Sequence, residues 1–305
     1  MKATAKAPAN IAFIKYWGKK DENLRLPYNP SISMNLSACV TITTVDFAPD
    51  LERDSVSEGF DENRISGHLD RLRKLAGVTY KARVVTENNF PKGSGIASSA
   101  SGFAALTVAG AAALGLDLSE KELTSLARLG SGSACRSIPD GFVKWDGEFA
   151  HSLYPPSYWD LRDILVIVER GEKKISSSEG HSRVETSPNF PKRLAALPKR
   201  IQTLERALKQ KDLRLFGEII EEDCLDMHHV MQTQDPPLYY WNDETEKIMD
   251  EVRSWRKAGL PVYFTIDAGP NVHLICEAKN ESALIKQLTG REIIVNSPAE
   301  GARLL

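Results

Sequence analysis

Three segments in the first third of the chain have the residue pattern of β-strands. They cover residues 4–7, 38–47 and 83–87, in which β-branched residues alternate with others or are concentrated. The two-residue period of a strand places one set of side chains from the second segment on a single face. That set is Cys39, Thr41, Thr43 and Val45. The chain is therefore predicted to open with a β-rich lobe.

A loop that leads into a helix is predicted next. Residues 88–95 contain Pro and Gly, whereas residues 98–114 are rich in Ala, the residue with the highest helix propensity. The loop thus runs directly into a helix N-terminus. Free backbone N–H groups at such a position attract anions.

Apolar residues recur at helical spacing beyond about residue 188. They are Leu194, Leu197, Ile201, Leu204 and Leu208, and a second amphipathic run covers residues 213–230. Short strands are predicted at residues 262–266, 272–277 and 292–295, with a helix at residues 281–288. We expect an α+β protein of two lobes, residues 1–187 and residues 188–305, that share a cleft.

The charge balance gives no sign of a highly charged partner. The 305 residues include 39 Lys plus Arg and 41 Asp plus Glu, for a net charge of −2. No excess of charge points to nucleic acid or to an anionic membrane. A site for an anion must therefore be built locally.

The cysteines and the N-terminus indicate a soluble cytoplasmic protein. The four cysteines lie far apart, at positions 39, 135, 224 and 276, and show neither a zinc-ligand spacing nor a disulfide framework. The N-terminus has no apolar signal core. The longest weakly polar stretch, residues 103–116, is shorter than the ~20 residues that a spanning helix needs.

The segment at residues 91–100 reads PKGSGIASSA and is a candidate phosphate-binding loop. Its glycines let the backbone approach an anion, and its hydroxyls stand at the start of a helix. The candidate ligands are Lys92, Gly93, Ser94, Gly95, Ser98 and Ser99. The segment matches neither the P-loop spacing nor a complete dinucleotide fingerprint. Taken alone, it is equally consistent with a flexible loop capped by its first helical serine.

Two further segments carry cationic candidates. Residues 130–137 read GSGSACRS, in which small residues surround Arg136 and would let its guanidinium grip a carboxylate or phosphate. Residues 14–21 read IKYWGKKD, with three lysines and two aromatic rings that suit the edge of a cationic pocket. A tight surface turn and a solvated turn remain the simpler interpretations of these segments in isolation.

An acid and a histidine complete the set of candidates. Asp267 stands at the end of an apolar strand, just before a Gly-Pro turn, where it is either an active-site acid or a turn cap. Residues 180–183 read GHSR, a polar run suited to a loop over a site. His228 and His229 have no third ligand at metal spacing, so they are predicted to pack or cap, and no protein ligands to a metal are predicted.

Four of these segments, taken in order, resemble the mevalonate diphosphate decarboxylase family, within the galactose, homoserine, mevalonate and phosphomevalonate kinase superfamily. They are residues 10–19, 88–100, 130–137 and 264–271. Four matches in the same order are more specific than any one of them. The resemblance implies two α+β lobes flanking a cleft that holds ATP and a 5-phosphorylated mevalonate. It also implies a use of Mg²⁺ and permits a homodimer.

The resemblance assigns roles residue by residue. Asp267 would lie near the 3-hydroxyl of the substrate, with Lys15 beside the reacting centre. Arg136 and Asn10 would hold the substrate carboxylate. The 5-phosphate end would face a further set, which comprises Tyr16, Lys19, Ser131, Ser133, His181 and Arg183. Phosphorylation of the 3-hydroxyl, loss of that phosphate and loss of CO₂ would follow in turn.

Departures from the familiar pattern bear on the length of the substrate. The family usually has PTAAGL where this chain has PKGSGI at residues 91–96, and Arg136 is followed by SIPDG rather than a Tyr-Gly-Gly context. The GHSR run at residues 180–183 and the MHHVM run at 227–231 resemble the phosphomevalonate decarboxylase subgroup. We therefore expect mevalonate 5-phosphate as substrate and isopentenyl phosphate as product.

Three alternatives remain open from the sequence. The first is a decarboxylase of the 5-diphosphate, and the second is a mevalonate-type kinase that stops after phosphoryl transfer. The third is a non-catalytic sensor on the same fold, which would tolerate the loss of Asp267. The presence of Asp267, Lys15 and Arg136 together favours the complete reaction.

Overall fold

The computed structural model describes residues 1–58, 60–90, 98–171 and 177–305, with side chains described from residue 180 onward in the last range. Lys92, Gly93, Ser94 and Gly95 of the predicted phosphate loop lie outside the described residues, and their role stays a prediction.

The described residues form thirteen strands and eight α-helices. The strands are β1 Lys2–Ile14, β2 Lys19–Asp21, β3 Leu26–Pro27, β4 Ser31–Ala48, β5 Ser55–Val56, β6 Lys81–Asn88, β7 Phe142–Asp146, β8 Phe149–Tyr154, β9 Leu161–Val166, β10 Tyr263–Thr265, β11 Val272–Glu277, β12 Ile293–Asn296 and β13 Arg303–Leu304. The helices are α1 Glu62–Ala76, α2 Ser98–Ala113, α3 Glu120–Gly130, α4 Ser177–Ser182, α5 Phe190–Gln210, α6 Leu213–Thr233, α7 Asp243–Lys257 and α8 Glu281–Gln287. A 3₁₀ helix, Gly132–Ser137, follows α3.

The larger sheet is organised around the 18-residue strand β4. Its order is β13-β1-β4-β6-β5, and the β7–β8 hairpin pairs with the first residues of β4. The pairing of β1 with β4 shifts register between Pro8 and Asn10 and again between Ala12 and Ile14. Such bulges re-aim side chains, and these two lie in the segment that carries Asn10 and leads to Lys15.

The smaller sheet has the order β10-β11-β9-β12, with every neighbour antiparallel. A continuous apolar core joins it to the larger sheet through α5 and α6. At its centre Phe216 of α6 makes edge contacts with Phe13 of β1 and with Trp159, at ring-centroid distances of 4.8 and 5.3 Å. The two sheets therefore do not pack as independent units.

The predicted elements appear in the structure, and β1, β4, β6, α5 and α6 are longer than expected. The face formed by Cys39, Thr41, Thr43 and Val45 is buried, as the two-residue period predicted. Helix α2 is buried on almost all sides, which explains why its sequence shows Ala-rich propensity rather than an amphipathic stripe. Helices α1, α3 and α7 and strands β7, β8 and β9 were not predicted from the sequence.

The predicted boundary at residue 187 stays a prediction. Strand β9, Leu161–Val166, precedes that boundary but pairs with β11 and β12 of the smaller sheet. Strand β13 follows it but pairs with β1 of the larger sheet. The chain thus crosses between the sheets more than once.

No helix in the described ranges is long and apolar enough to cross a bilayer.

Two glycines inside helices offer a matched test of the packing between α6 and β10. A Cβ on Gly217 would lie 2.0 Å from the ring of Tyr263, which is 4% exposed, whereas a Cβ on Gly67 of α1 would meet nothing within 4 Å. We expect Gly217→Ala to lower the free energy of unfolding by about 1–3 kcal/mol, because the buried ring has to shift. Gly67→Ala should raise it by about 0.5–1 kcal/mol through helix propensity. Urea denaturation measures both, and equal effects would contradict the close approach.

Candidate active site

An ion pair between the two sheets lies at the centre of the site. Lys15 follows β1 directly and Asp267 lies two residues beyond β10. The Nζ of Lys15 is 2.5 Å from Oδ1 of Asp267. The Lys15 side chain is 1% exposed and that of Asp267 is 24% exposed, so the carboxylate is the more accessible partner. No described residue donates a hydrogen bond to the second oxygen of this carboxylate.

The charges around Asp267 keep it ionised. Burial would raise its pKa, but the ammonium of Lys15 opposes that effect, assisted by His273 and Arg136. The net result is a pKa below the ordinary value for an aspartate. Asp267 is therefore a carboxylate at neutral pH, able to accept a hydrogen bond from a hydroxyl group.

A buried guanidinium lies on the other side of the site. Arg136 is 3% exposed and stands in the 3₁₀ helix. It donates to Oγ of Ser31 over 2.6 Å and to Oδ1 of Asn10 over 3.3 Å. Asn10 in turn donates to Oγ of Ser137 over 2.8 Å and to the carbonyl of Ser133 over 3.2 Å. The structure thus brings Asn10 and Arg136 into direct contact.

Among the described residues, Arg136 has only neutral hydrogen-bond partners. Within the described ranges no carboxylate lies within ion-pair distance of it, and burial lowers its pKa from the usual value. A buried charge with no counter-ion is unfavourable. The arrangement suits an anionic ligand, and a planar carboxylate matches the two-donor geometry of a guanidinium.

The serines predicted to contact the substrate or ATP form a hydroxyl cluster. Oγ of Ser131 lies 3.4 Å from Oγ of Ser99 and 3.5 Å from Oγ of Ser133. Ser98 and Ser99 are the first residues of α2, where backbone N–H groups lack partners within the helix. The end of α3 and the start of α2 therefore meet at one polar site, the serine corner, which is formed by Ser98, Ser99, Ser131 and Ser133.

His181 lies in an aromatic stack with Tyr16 and Trp17. Its ring centroid is 4.4 Å from both of theirs. Its Nδ1 accepts a hydrogen bond of 2.8 Å from the backbone N–H of Gly18. Tyr16 also packs edge-on against Trp145 at 4.6 Å, and burial raises the pKa of its phenol. The structure thus joins the 180–183 run to the 14–21 segment.

Lys19 and Arg183 are placed near this stack by the backbone. Lys19 lies in β2, where its ammonium pairs with Glu22. Arg183 follows α4, and its backbone N–H donates to the carbonyl of Gly180 over 3.3 Å. Contacts between these two side chains and a ligand stay predictions.

A cavity of about 200 Å³ opens beside the serine corner. It lies between β4, β6, α1 and α2, and Ser98 and Ser99 form part of its wall. Phe60, Ile65, Val84, Phe103 and Leu106 supply apolar surface, while Thr43, Asp61, Arg64, Thr86 and Asn88 supply polar groups. An apolar slot with a few polar groups suits a flat heterocycle.

The donor atoms near this corner suit a hard cation. In the part of the chain that the structure describes, no group of three His, Cys, Asp or Glu side chains could hold a metal. The hydroxyls of Ser98, Ser99 and Ser131 are oxygen donors, and Mg²⁺ prefers oxygen and often binds through phosphates and water with few protein ligands. The corner is therefore compatible with Mg²⁺ bound mainly by a nucleotide.

His228 has the packing role that the sequence suggested. It is 1% exposed, and burial lowers its pKa to about 3, so the ring is neutral. The indole N–H of Trp241, which can only donate, lies 3.2 Å from its Nε2. The same nitrogen also lies 3.4 Å from the carbonyl oxygen of Ile266, which can only accept, so its two neighbours favour opposite tautomers of the ring.

The structure adds residues that were not predicted from the sequence. Ser31 supports Arg136, and Asp223 of α6 accepts a 2.7 Å hydrogen bond from the backbone N–H of Lys15. One signal for Asp223 is present in the sequence, since it interrupts the apolar stripe of α6 between Ile220 and Met227. An acid on a buried face requires a partner.

Comparisons with known proteins agree with this geometry. A model of the diphosphomevalonate decarboxylase-like N-terminal domain matches residues 7–152, and a model of the mevalonate 5-diphosphate decarboxylase C-terminal domain matches residues 164–296. Diphosphomevalonate decarboxylase of Candida albicans is 36% identical over 94% of this chain and 87% of its own length.

Solved structures agree over the full chain. A structure described as MDDEF in complex with MVAPP, AMPPCP and magnesium has a TM-score of 0.94 at 38% identity, and covers 100% of this chain and 99% of its own. The mevalonate diphosphate decarboxylase from Staphylococcus aureus has a TM-score of 0.94 at 38% identity, with coverages of 100% and 98%. The two-lobed kinase-superfamily fold expected from the sequence is confirmed. The chain belongs to the diphosphomevalonate decarboxylase family of the galactose, homoserine, mevalonate and phosphomevalonate kinase superfamily.

Proposed function

We propose that this protein catalyses the ATP-dependent decarboxylation of mevalonate 5-diphosphate to isopentenyl diphosphate, with release of ADP, phosphate and CO₂. The observation that carries the proposal is the placement of the Lys15–Asp267 pair near Arg136, a buried cation that has no carboxylate partner among the described residues. This set provides both an acceptor for a hydroxyl proton and a grip for a carboxylate. A kinase that stops after phosphoryl transfer needs only the first.

The substrate proposed here is the 5-diphosphate, whereas the sequence alone favoured the 5-monophosphate. That expectation rested on short differences at residues 91–96, 137–141, 180–183 and 227–231, and residues 91–96 lie outside the described ranges. The relatives that match most of the chain are named for the diphosphate, and the MDDEF complex contains MVAPP, which is mevalonate diphosphate. Agreement over whole chains outweighs four local differences.

Phosphoryl transfer would begin at the 3-hydroxyl of the substrate. The free oxygen of Asp267 accepts a hydrogen bond from this hydroxyl and orients it toward the γ-phosphate of ATP. General-base assistance of this kind is typically worth ~10²–10⁴-fold. Lys15 holds the other oxygen of Asp267 and contributes positive charge where negative charge develops.

Decarboxylation would follow from the grip of Arg136. Departure of the 3-phosphate takes the C3–O bonding electrons and leaves C3 electron-deficient. The electrons of the bond between the carboxylate carbon and C2 then form the C2–C3 double bond as CO₂ leaves. Arg136, supported by Asn10 and Ser31, keeps the carboxylate aligned for this step.

The serine corner and the neighbouring cavity would hold the nucleotide. The cavity takes the adenine between its apolar residues, and the phosphates extend toward Ser98, Ser99 and the predicted loop at residues 92–95. Ser98, Ser99 and Ser131 offer oxygens to Mg²⁺ alongside the phosphates. When bound, Mg²⁺ supplies positive charge to the transferring phosphoryl group.

The 5-phosphate end would lie against Tyr16, Ser131 and Ser133, with Lys19 and Arg183 as further cationic donors.

One observation favours mevalonate 5-phosphate as a second candidate substrate. His181 fills the space between Tyr16 and Trp17 and is fixed there by the N–H of Gly18. A ring held there would shorten a pocket that reaches this segment, and a shorter pocket would suit one phosphate better than two. A homodimer stays a prediction.

A comparison of three substrates tests the proposal directly. Mevalonate, its 5-phosphate and its 5-diphosphate are offered with ATP and Mg²⁺, and ADP and CO₂ are both measured. We expect kcat/KM to be about tenfold or more higher for the diphosphate than for the monophosphate, because each charged hydrogen bond to the distal phosphate contributes ~1.5–3 kcal/mol. A preference for the monophosphate would select the second candidate.

The same assay separates the other classes of protein. ADP without CO₂ would indicate a kinase. No ADP release with any of the three compounds would indicate a sensor.

Replacement of Asp267 tests the phosphoryl-transfer step. Asp267→Asn keeps the shape of the side chain but removes the charge that accepts the proton, so we expect kcat to fall ~10²–10⁴-fold while ATP still binds. Asp250→Asn, at a 77% exposed side chain on α7, is the matched control and should leave kcat unchanged. Similar rates for the two variants would remove Asp267 from the mechanism.

Replacement of Arg136 tests the carboxylate grip. An ammonium cannot reproduce the planar pair of donors, so Arg136→Lys should lower kcat/KM for the mevalonate compound by about tenfold or more and leave the KM for ATP nearly unchanged. Arg170→Lys, at a surface arginine paired with Glu292, serves as the control. Full activity of the Arg136 variant in steady-state assays would make this arginine a structural residue only.

A further inference from the structure

We infer that Asp223 of α6 is a positioning residue that holds Lys15, and through it the Lys15–Asp267 pair, in register for the reaction. The inference rests on the proposed function only for the identity of the reaction, since the contacts of Asp223 do not depend on it. Its geometric basis is the set of contacts around the Lys15 backbone. No other residue of α6 has a side chain that accepts a hydrogen bond from the Lys15 main chain among the described contacts.

The Lys15 backbone is held by side chains on both of its polar groups. Oδ2 of Asp223 accepts its N–H over 2.7 Å. Its carbonyl accepts from Nδ2 of Asn29 over 3.0 Å and lies 3.4 Å from Nη2 of Arg193. Lys15 lies just beyond β1, so the ladder of that strand does not fix it. These side chains take the place of a strand partner.

Two arginines balance the charge of Asp223. Arg193 of α5 donates to Oδ2 over 3.1 Å, and Arg200 donates to Oδ1 over 3.0 Å. The side chains of Asp223 and Arg193 are both fully buried. A carboxylate fixed by two guanidiniums has little freedom to move, so it gives the Lys15 N–H a rigid acceptor.

Helix α6 also contacts the strand that leads to Asp267. The Sγ of Cys224, the residue after Asp223, lies 3.2 Å from the backbone N of Ile266 and 3.5 Å from its carbonyl oxygen. Ile266 directly precedes Asp267. One turn of α6 therefore touches both chain segments that carry the ion pair. A misplacement of about 1 Å in such a pair can cost ~10²-fold in rate.

Asp226 provides a matched control. It lies one turn along α6, and its Oδ2 accepts from the same two arginines, at 2.9 Å from Arg193 and 2.7 Å from Arg200. It has no contact with Lys15 among the described hydrogen bonds. Asp223→Ala and Asp226→Ala thus each remove one carboxylate from the same arginines, but only the first removes the acceptor of the Lys15 N–H.

The kinetic test compares these two variants in the full-length protein. We expect Asp223→Ala to lower kcat by about 10–100-fold with the KM for ATP unchanged, because binding of the nucleotide does not use Lys15. Asp226→Ala should retain kcat within about threefold at a temperature where both variants are folded. Asp223→Asn keeps the shape and one oxygen, so it should give an intermediate kcat and replaces Asp223→Ala if that variant does not fold. Equal kcat values for the Asp223 and Asp226 variants would overturn the inference.

A titration gives a readout that does not depend on turnover. The Lys15 ammonium holds the pKa of Asp267 below its ordinary value. The other groups that face this carboxylate are His273 of β11, Arg136 of the 3₁₀ helix, and Cys224 and His228 of α6, and all of them are unchanged in the three variants. Displacement of Lys15 should therefore raise the pKa of Asp267 in the Asp223 variants. The pKa of Asp267 should be unchanged in Asp226→Ala, in which Lys15 is not displaced. Carbon-13 NMR of the aspartate carboxyls measures it, with Asp267→Asn to assign the signal.

The two readouts separate the inference from the proposed function. Absence of turnover in the wild-type protein would sink the function, while a raised Asp267 pKa in the Asp223 variants would still support the positioning role. An Asp267 pKa that is the same in wild-type protein and in the Asp223 variants would overturn it, whatever the activity.

Discussion

The ion pair between Lys15 and Asp267 is the interaction on which the site depends. Its two members come from chain segments that belong to different sheets, so the pair forms only when those sheets are packed against each other. A buried ammonium without its partner would be unfavourable by several kcal/mol, as an order of magnitude. The apolar core around Phe13 and Phe216 therefore does more than stabilise the fold, since it sets the distance between the two charged groups.

Arg136 differs from Lys15, because its described hydrogen-bond partners carry no charge. Its neutral partners, Asn10 and Ser31, orient the guanidinium, and no described carboxylate forms an ion pair with it. A charged side chain that is buried to this degree is usually paired with an opposite charge. The proposed function assigns that place to the carboxylate of the substrate, and a local departure from the rules of stable packing is expected where binding takes place.

Local signals in the sequence account for the predicted elements, whereas the missed contacts depend on tertiary structure. The buried face of β4 and the stripes of α5 and α6 follow from periodicity alone. Helix α3 was missed although Ser119 and Glu122 form a capping box, and the β7–β8 hairpin was missed although Gly147 marks its turn. The meeting of Lys15 with Asp223, 208 positions apart, has no local signature, because nothing near either residue specifies the other. Asp267 was selected as a candidate through a family resemblance, because its own segment taken alone is better suited to a turn.

Strand β13 has a consequence for how this chain is made. Residues 303–304 pair with Ala5 and Lys6 and complete the edge of the larger sheet. On a ribosome, β1 emerges long before β13, so this edge of β1 stays unpaired until residues 303–304 have been synthesised. An open strand edge is a surface on which nascent chains associate with one another. The exposed Lys2 and the half-buried Lys6 of β1 place positive charge along that edge, and such charges discourage pairing between chains during the delay.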